Sequence, residues 1–205
     1  MVAKFTLRSD RCGSGHTAAG PSCASAYASD DLRALIGELH RLRPRTIIDL
    51  GSASDLRMRL WSLFAAPDAT IVNTAWPGNT FDEQARATLV EHRSPSHNCI
   101  LAHRATSFAE IRSDLERCCG RRIDLLFIDG LNPYPLVREA YDALRPLVAR
   151  GGCLVWDGMA PTAALTDDCD GGDTLWNSVF MLYPHRRLMT AAAPGPRGGL
   201  ALVRC

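Results

Sequence analysis

Two aspartates that each follow an apolar segment of strand length are the residues of this chain best placed to do chemistry. The segment 123–128 leads into Asp129-Gly130, and the segment 151–156 leads into Asp157. Apolar residues at helical spacing separate them, so the pattern predicts a parallel βαβ unit with both carboxylates at strand C-termini, where open α/β sheets bind ligands. Paired carboxylates there suit a hard divalent cation or a proton transfer. Alternatively, each aspartate only caps a turn beside a glycine.

The composition is that of a globular protein with one core. The chain has 205 residues, of which 46% are hydrophobic and 22% are charged, and its formal net charge is +1. This charge argues against a nucleic-acid partner or an anionic membrane held by bulk electrostatics. No apolar run approaches the roughly 20 residues that span a bilayer. The first ten residues lack the apolar centre of a signal peptide, so we expect a cytoplasmic protein.

Eight cysteines raise the question of zinc or a disulfide framework. They include no C-x-x-C pair, and neither His16 nor His185 has a second ligand at the spacing of a zinc site. The spacing therefore argues against zinc. Cys99 and Cys153 fall inside predicted strands, where a thiol is usually a small buried hydrophobic group.

The order of elements predicts an α/β fold. Residues 1–28 are rich in Gly, Ser and Ala without a period, so we expect a flexible lead or lid before a single domain, 29–205. Ser29-Asp30-Asp31 is expected to cap the first helix. Strands and helices then alternate, and two apolar runs across a Pro/Gly turn predict a final hairpin. The predicted fold is therefore a Rossmann-like, seven-stranded, mostly parallel sheet with a C-terminal antiparallel hairpin and helices on both faces. The further predicted strands are 46–50, 70–73, 98–102, 187–192 and 200–204, and the predicted helices are 32–42, 56–65, 81–92, 108–118 and 174–183.

Four short motifs, taken in order, resemble a known family. They are 47–51 (IIDLG) at the first strand, 76–78 (WPG) after the second, 128–130 (IDG) after the fourth and 151–157 (GGCLVWD) at the fifth. This order looks like the class I S-adenosylmethionine (SAM) methyltransferase fold, nearest to the small metal-dependent O-methyltransferases of natural-product pathways. The resemblance covers about residues 30–205. It implies SAM-dependent methyl transfer to a hydroxyl of a small metabolite in secondary metabolism.

The resemblance places the methionine part of the cofactor at the turn after the first strand. In that turn, Asp49, Gly51 and Ser52 match cofactor-binding positions, since a glycine lets backbone amides approach the ligand. The later glycines of the family motif are replaced here. Asp55 in particular puts an acidic side chain where close backbone approach is expected.

The same resemblance assigns the nucleoside part to residues after the second and third strands. Thr74, two residues before Trp76, stands where the family has an acid that binds the ribose hydroxyls, so a charge-assisted hydrogen-bond pair is missing. Arg104 stands where an acid usually meets the adenine amino group, and an arginine there favours an anionic ligand. The cofactor motif is therefore degraded, and we expect SAM to bind weakly.

The residues that the resemblance assigns to catalysis match the family more closely than the cofactor motif does. Asp129 and Asp157 match two acids that hold Mg²⁺ against the acceptor and lower the pKa of its hydroxyl. The residue after Asp157 is Gly158 instead of a further ligand, so Mg²⁺ and no metal both stay open. Two other functions also stay open: a SAM-independent lyase, isomerase or cyclase acting on an anionic molecule held by Arg104, and a non-catalytic partner subunit. We expect a small-molecule substrate and neither a nucleic-acid nor a membrane partner, with a homo-oligomer or a partner subunit as further options.

Overall fold

The computed structural model describes residues 29–51, 55–77, 99–103, 106–120, 122–130, 132–159, 174–175, 178–179, 187–189 and 199–205. The predicted lead 1–28, the predicted helix 81–92 and most of the predicted helix 174–183 lie outside these residues. No helix in the described part is long and apolar enough to cross a membrane.

The described strands form one sheet. Its strands are β1 Thr46–Leu50, β2 Thr70–Thr74, β3 Cys99–His103, β4 Ile123–Ile128, β5 Val148–Met159, β6 Arg187–Met189 and β7 Gly199–Arg204. They lie in the order β3-β2-β1-β4-β5-β7-β6. The first five in this order run parallel, whereas β7 is antiparallel to both β5 and β6. The α/β class, the mostly parallel sheet and the C-terminal antiparallel pair are therefore confirmed.

The described residues form four helices, of which the first precedes β1 and the other three connect strands. They are α1 Ser29–Leu42, α2 Asp55–Phe64, α3 Phe108–Cys119 and α4 Tyr134–Leu144, and a 3-10 turn over Arg145–Leu147 follows α4. Several boundaries differ from the predictions by one or two residues, and two elements, α1 and β5, begin three residues earlier than predicted. The residues expected to cap α1 form its first turn, where acidic side chains are favoured by the helix dipole. Strand β5 begins at Val148, three residues before the predicted start, because its first residue pairs with Ile123 of β4.

Helices cover both faces of the sheet, as predicted. On one face, Leu39 of α1 and Trp61 of α2 pack with Ile47 of β1. On the other face, Ile111 of α3 and residues of α4 pack in the cluster that contains Ile48. Neighbouring β1 residues thus enter opposite halves of the core, which is why the strands are mostly apolar and do not alternate regularly with polar residues.

The register of the central strands brings the acidic residues to one edge. Leu50 pairs with both Thr74 and Ile128, and Ile128 in turn pairs with Trp156. The residues that follow in these strands, Gly51, Asp129 and Asp157, therefore stand side by side. The backbone N–H of Gly51 donates to the Thr74 carbonyl at 3.0 Å, and that of Asp129 donates to the Leu50 carbonyl at 2.9 Å, so the ladder continues beyond the strands.

Candidate active site

Asp49 is a buried carboxylate with strong donors. It lies in β1 and is fully inaccessible to solvent. Its Oδ2 accepts hydrogen bonds from the indole Nε1 of Trp61 at 2.7 Å and from Nε of Arg57 at 3.2 Å. Arg57 and Trp61 are four residues apart in α2, so they lie on the same face of the helix and reach the carboxylate together. Asp49 is thus held by α2 and presents no free oxygen to solvent.

Arg57 extends this contact across the sheet to Asp157. Its side chain is 3% exposed, and its Nη1 lies 4.0 Å from Oδ2 of Asp157. Its guanidinium carbon lies 4.6 Å from the ring centre of Phe127, a cation–π geometry. Since Phe127 belongs to β4, between β1 and β5, one guanidinium spans three strands and joins a carboxylate on each outer strand.

The two aspartates singled out from the sequence occupy neighbouring positions but differ in environment. Asp157 is 3% exposed, and its Oδ1 accepts the backbone N–H of Gly130 at 3.1 Å. Asp129 is partly exposed. A Cβ atom added to Gly51, whose φ is +149°, would lie only 2.6 Å from the Cβ of Asp129. The glycine therefore leaves space for Asp129 to lie over the turn after β1.

Burial dominates the electrostatics of Asp49. Loss of solvent raises the pKa of this carboxyl group, the charge and hydrogen bonds of Arg57 and Trp61 oppose that rise, and the nearby Asp129 carboxylate adds to it. The buried guanidinium of Arg57 thus faces two of the neighbouring carboxylates, those of Asp49 and Asp157.

Two neighbouring polar residues, Asn73 and Thr74, end β2. Thr74 is fully buried and its hydroxyl donates to the Ala75 carbonyl at 3.3 Å, so its side chain is already engaged by the backbone. Asn73 donates to the backbone carbonyl of Asp49 at 3.3 Å. Its Oδ1 and the Nε1 of Trp76 are buried without a hydrogen-bond partner in the described part of the chain. Asn73 is therefore better placed than Thr74 to accept a ligand hydroxyl. Ser52 and Arg104 lie outside the described residues.

The described side chains do not fit a divalent cation at Asp157. They contain no group of three or more His, Cys, Asp or Glu residues arranged to hold a metal. Both oxygens of Asp157 already face donors, one from Gly130 and one from Arg57. Mg²⁺ demands oxygen ligands at about 2.0–2.1 Å in near-octahedral geometry. The described residues around Asp157 therefore do not supply this ligand set.

Arg57 is the site residue that sequence reasoning missed. It follows Asp49 by eight positions and sits in a helix beside Met58 and Trp61, which are both buried. A charged residue on the buried face of a helix requires a partner, because an unpaired buried charge is strongly unfavourable. The buried neighbours of Arg57 in the helix therefore indicate that it has a partner, but the helix pattern alone does not identify that partner.

Comparisons with known proteins agree with this geometry. A family model described as "Methyltransferase domain" matches residues 57–159, about half of the chain. Among solved structures, an O-methyltransferase from Bacillus cereus in complex with SAH is similar at 11% identity and a TM-score of 0.64, with 89% of this chain and 84% of that one covered. A search of curated protein sequences gives no significant match.

Two natural-product enzymes are also similar in structure. The O-methyltransferase TomG from Streptomyces achromogenes, involved in tomaymycin synthesis and solved with SAM, has 20% identity and a TM-score of 0.62 over 88% of this chain and 82% of that one. The methyltransferase MycE from the mycinamycin pathway, solved with Mg and SAH, has 19% identity and a TM-score of 0.53 over 83% of this chain and 48% of that one. At these identities the likeness shows the fold alone.

The sheet order and the acidic C-terminal edge define a class I methyltransferase fold. Together with the family match over half of the sequence, they assign the protein: the chain belongs to the methyltransferase domain family and is a methyltransferase-like enzyme.

Proposed function

We propose that this protein transfers a methyl group from SAM to a hydroxyl group of a small metabolite, with Asp129 as the proton acceptor. The observation that carries the proposal is the different environment of three adjacent aspartates. Asp49 and Asp157 are buried and face Arg57, whereas Asp129 is partly exposed at the edge where a substrate can approach. Of the three, Asp129 is the least buried, so we assign it the contact with the acceptor hydroxyl.

The proposed cofactor site lies at the ends of β1 and β2. Gly51 has no side chain of its own, which suits close approach of its backbone to the methionine part of SAM. Asn73 Oδ1 and Trp76 Nε1 offer a buried acceptor and a buried donor, which suit the hydroxyl groups and ring nitrogens of a nucleoside. Asp49, Ser52, Thr74 and Arg104 stay in this proposal as family-matched positions. When bound, SAM supplies an electrophilic methyl group on a sulfonium centre.

Asp129 then has a defined role. The Asp129 carboxylate would accept the proton of the acceptor hydroxyl as that oxygen takes the methyl group that bound SAM would supply, with S-adenosylhomocysteine as the other product. Asp157 orients this region by holding the backbone N–H of Gly130, the residue after Asp129. A positioned general base contributes typically about 10²–10⁴-fold to the rate. The fold similarity to TomG and MycE supports a natural-product metabolite as the acceptor.

The experiment compares two Asp→Asn variants. We expect Asp129→Asn to lower SAH formation from SAM by about 10²–10⁴-fold when catechol and a dTDP-sugar are offered as acceptors. Its SAM affinity, measured by calorimetry, should stay within about threefold of native. Asp142→Asn is the matched control, because Asp142 is an exposed residue of α4 paired with Arg138, and it should retain native turnover. An Asp129→Asn protein as active as the native one would contradict the assigned role.

A SAM-independent enzyme on the same scaffold is the second candidate. The neutral, fully buried Thr74 favours it, because the charged ribose ligand is missing at that position. A non-catalytic partner subunit is the third. Both predict no methyl transfer from SAM to any acceptor, so the measurement of SAH formation separates them from the proposed function.

A further inference from the structure

Arg57 occupies a central place among the carboxylates of the site. Its Nε lies 3.2 Å from Oδ2 of Asp49, its Nη2 lies 3.4 Å from Oδ1 of the same residue, and its Nη1 lies 4.0 Å from Oδ2 of Asp157. The planar guanidinium rests over the ring of Phe127. The cation is therefore fixed by contacts to three successive strands, β1, β4 and β5.

A divalent cation bound by Asp157 would have to share this space. A dication and a guanidinium repel each other, and the repulsion is strong where water is excluded. Arg57 and Asp157 are almost completely buried, so solvent does not screen that repulsion. The carboxylate oxygens that would bind the metal already face the guanidinium and the Gly130 N–H.

We propose that the guanidinium of Arg57 is the resident cation of this site, standing between Asp49 and Asp157 in place of a divalent metal ion. Arg57 is then a positioning residue: it fixes Asp157, which holds the turn that carries Asp129. The inference rests on the proposed function only in assigning Asp129 its role, because cation binding can be measured without methyl transfer.

The test measures Mn²⁺ binding by the electron paramagnetic resonance signal of the free ion. Native protein and Asp157→Asn should give the same Mn²⁺ titration, because Asp157 does not bind metal while Arg57 is present. Arg57→Met, which removes the cation but keeps a long apolar side chain, should gain Mn²⁺ affinity by at least about tenfold, since the number of uncompensated carboxylates tunes affinity for hard cations. That gain should disappear in the double variant Arg57→Met/Asp157→Asn.

Two further variants complete the test. Arg57→Lys keeps a cation at this place and should gain no Mn²⁺ affinity. Arg138→Met, which removes an exposed arginine of α4, should titrate like the native protein. Native Mn²⁺ binding that Asp157→Asn abolishes would overturn the inference, and so would a folded Arg57→Met protein without any gain. If Arg57→Met does not fold, the native and Asp157→Asn comparison decides alone. Failure of SAM to bind would refute the proposed function and leave these metal results unaffected.

Discussion

Replacing Arg57 by methionine should destabilise the protein far more than a typical arginine replacement. The substitution leaves two buried carboxylates, Asp49 and Asp157, without their cation. Removing one partner of a buried ion pair costs about 3–5 kcal/mol, because the remaining charge stays out of water. The lost contact with Phe127 adds about 0.5–2 kcal/mol. Since the two losses share the same side chain, we expect a total near 4 kcal/mol, about a third or more of the stability of an ordinary domain.

The loss of stability in Arg57→Met should depend on pH, because the Asp49 carboxyl group loses its cationic partner. Without Arg57, the pKa of Asp49 rises further above its unfolded value, so the variant loses stability as pH rises between the unfolded and the folded pKa. Lowering the pH from about 7 to about 5 should therefore recover part of this loss, because protonation of Asp49 removes the uncompensated buried charge.

Urea unfolding at both pH values measures these differences. Arg138→Met is the matched control, because Arg138 forms an exposed i,i+4 pair with Asp142, worth about 0.3–0.5 kcal/mol. A loss below about 1 kcal/mol for Arg57→Met at pH 7, or a loss equal to that of the control, would refute the assignment of Arg57 as the buried cation of the site.

Two further predictions concern the turn after β1 and the link between α1 and β7. Gly51→Ala should lower the free energy of unfolding by about 2–5 kcal/mol, because its Cβ would overlap Asp129 and its φ of +149° is strained for alanine. Glu38→Gln should cost about 1 kcal/mol at pH 7, since Glu38 accepts hydrogen bonds from Arg204 of β7. The hydrogen bond from Arg204 lowers the pKa of Glu38, so its contribution is present above the unfolded value and is lost as pH falls through the folded one.

Each of these predictions has a control and a contrary outcome. Gly37→Ala, in the middle of α1 with no neighbouring atom within 4 Å, should instead stabilise by about 0.8–1.0 kcal/mol. Gly51→Ala and Gly37→Ala proteins of equal stability would show that the packing of Gly51 against Asp129 has been misjudged. For Glu38→Gln, a deficit at pH 3 as large as that at pH 7 would contradict the ionic origin of the effect.

Local sequence patterns are enough to predict the main features of the sheet. The apolar runs before Asp129 and Asp157 are too short for helices, and the connecting segment is long enough for a crossover, so the parallel unit and the edge position of both aspartates follow from periodicity. The Pro/Gly-rich sequence 194–199 likewise predicts an antiparallel pair.

Other features depend on contacts that no local pattern contains. Thr74 is buried because β2 lies between β1 and β3, and the order of strands in a sheet is set by distant parts of the chain. Arg57 reaches Asp157, 100 residues later, only because α2 packs across β4. A helical arginine is usually a solvent-exposed residue, so its burial here could be inferred only from its apolar neighbours.

The most direct test of the central claim is a calorimetric and thermal-shift titration of the native protein with SAM and SAH. The missing ribose charge should weaken binding by about 1.5–3 kcal/mol for each lost charge-assisted hydrogen bond. Both ligands should nevertheless bind saturably, and at a hundred times its dissociation constant each should stabilise the fold by about 2.7 kcal/mol. Asn73→Ala should weaken both. If millimolar SAM and SAH neither release heat nor change the unfolding temperature, the proposed methyl transfer is wrong and the scaffold serves another chemistry.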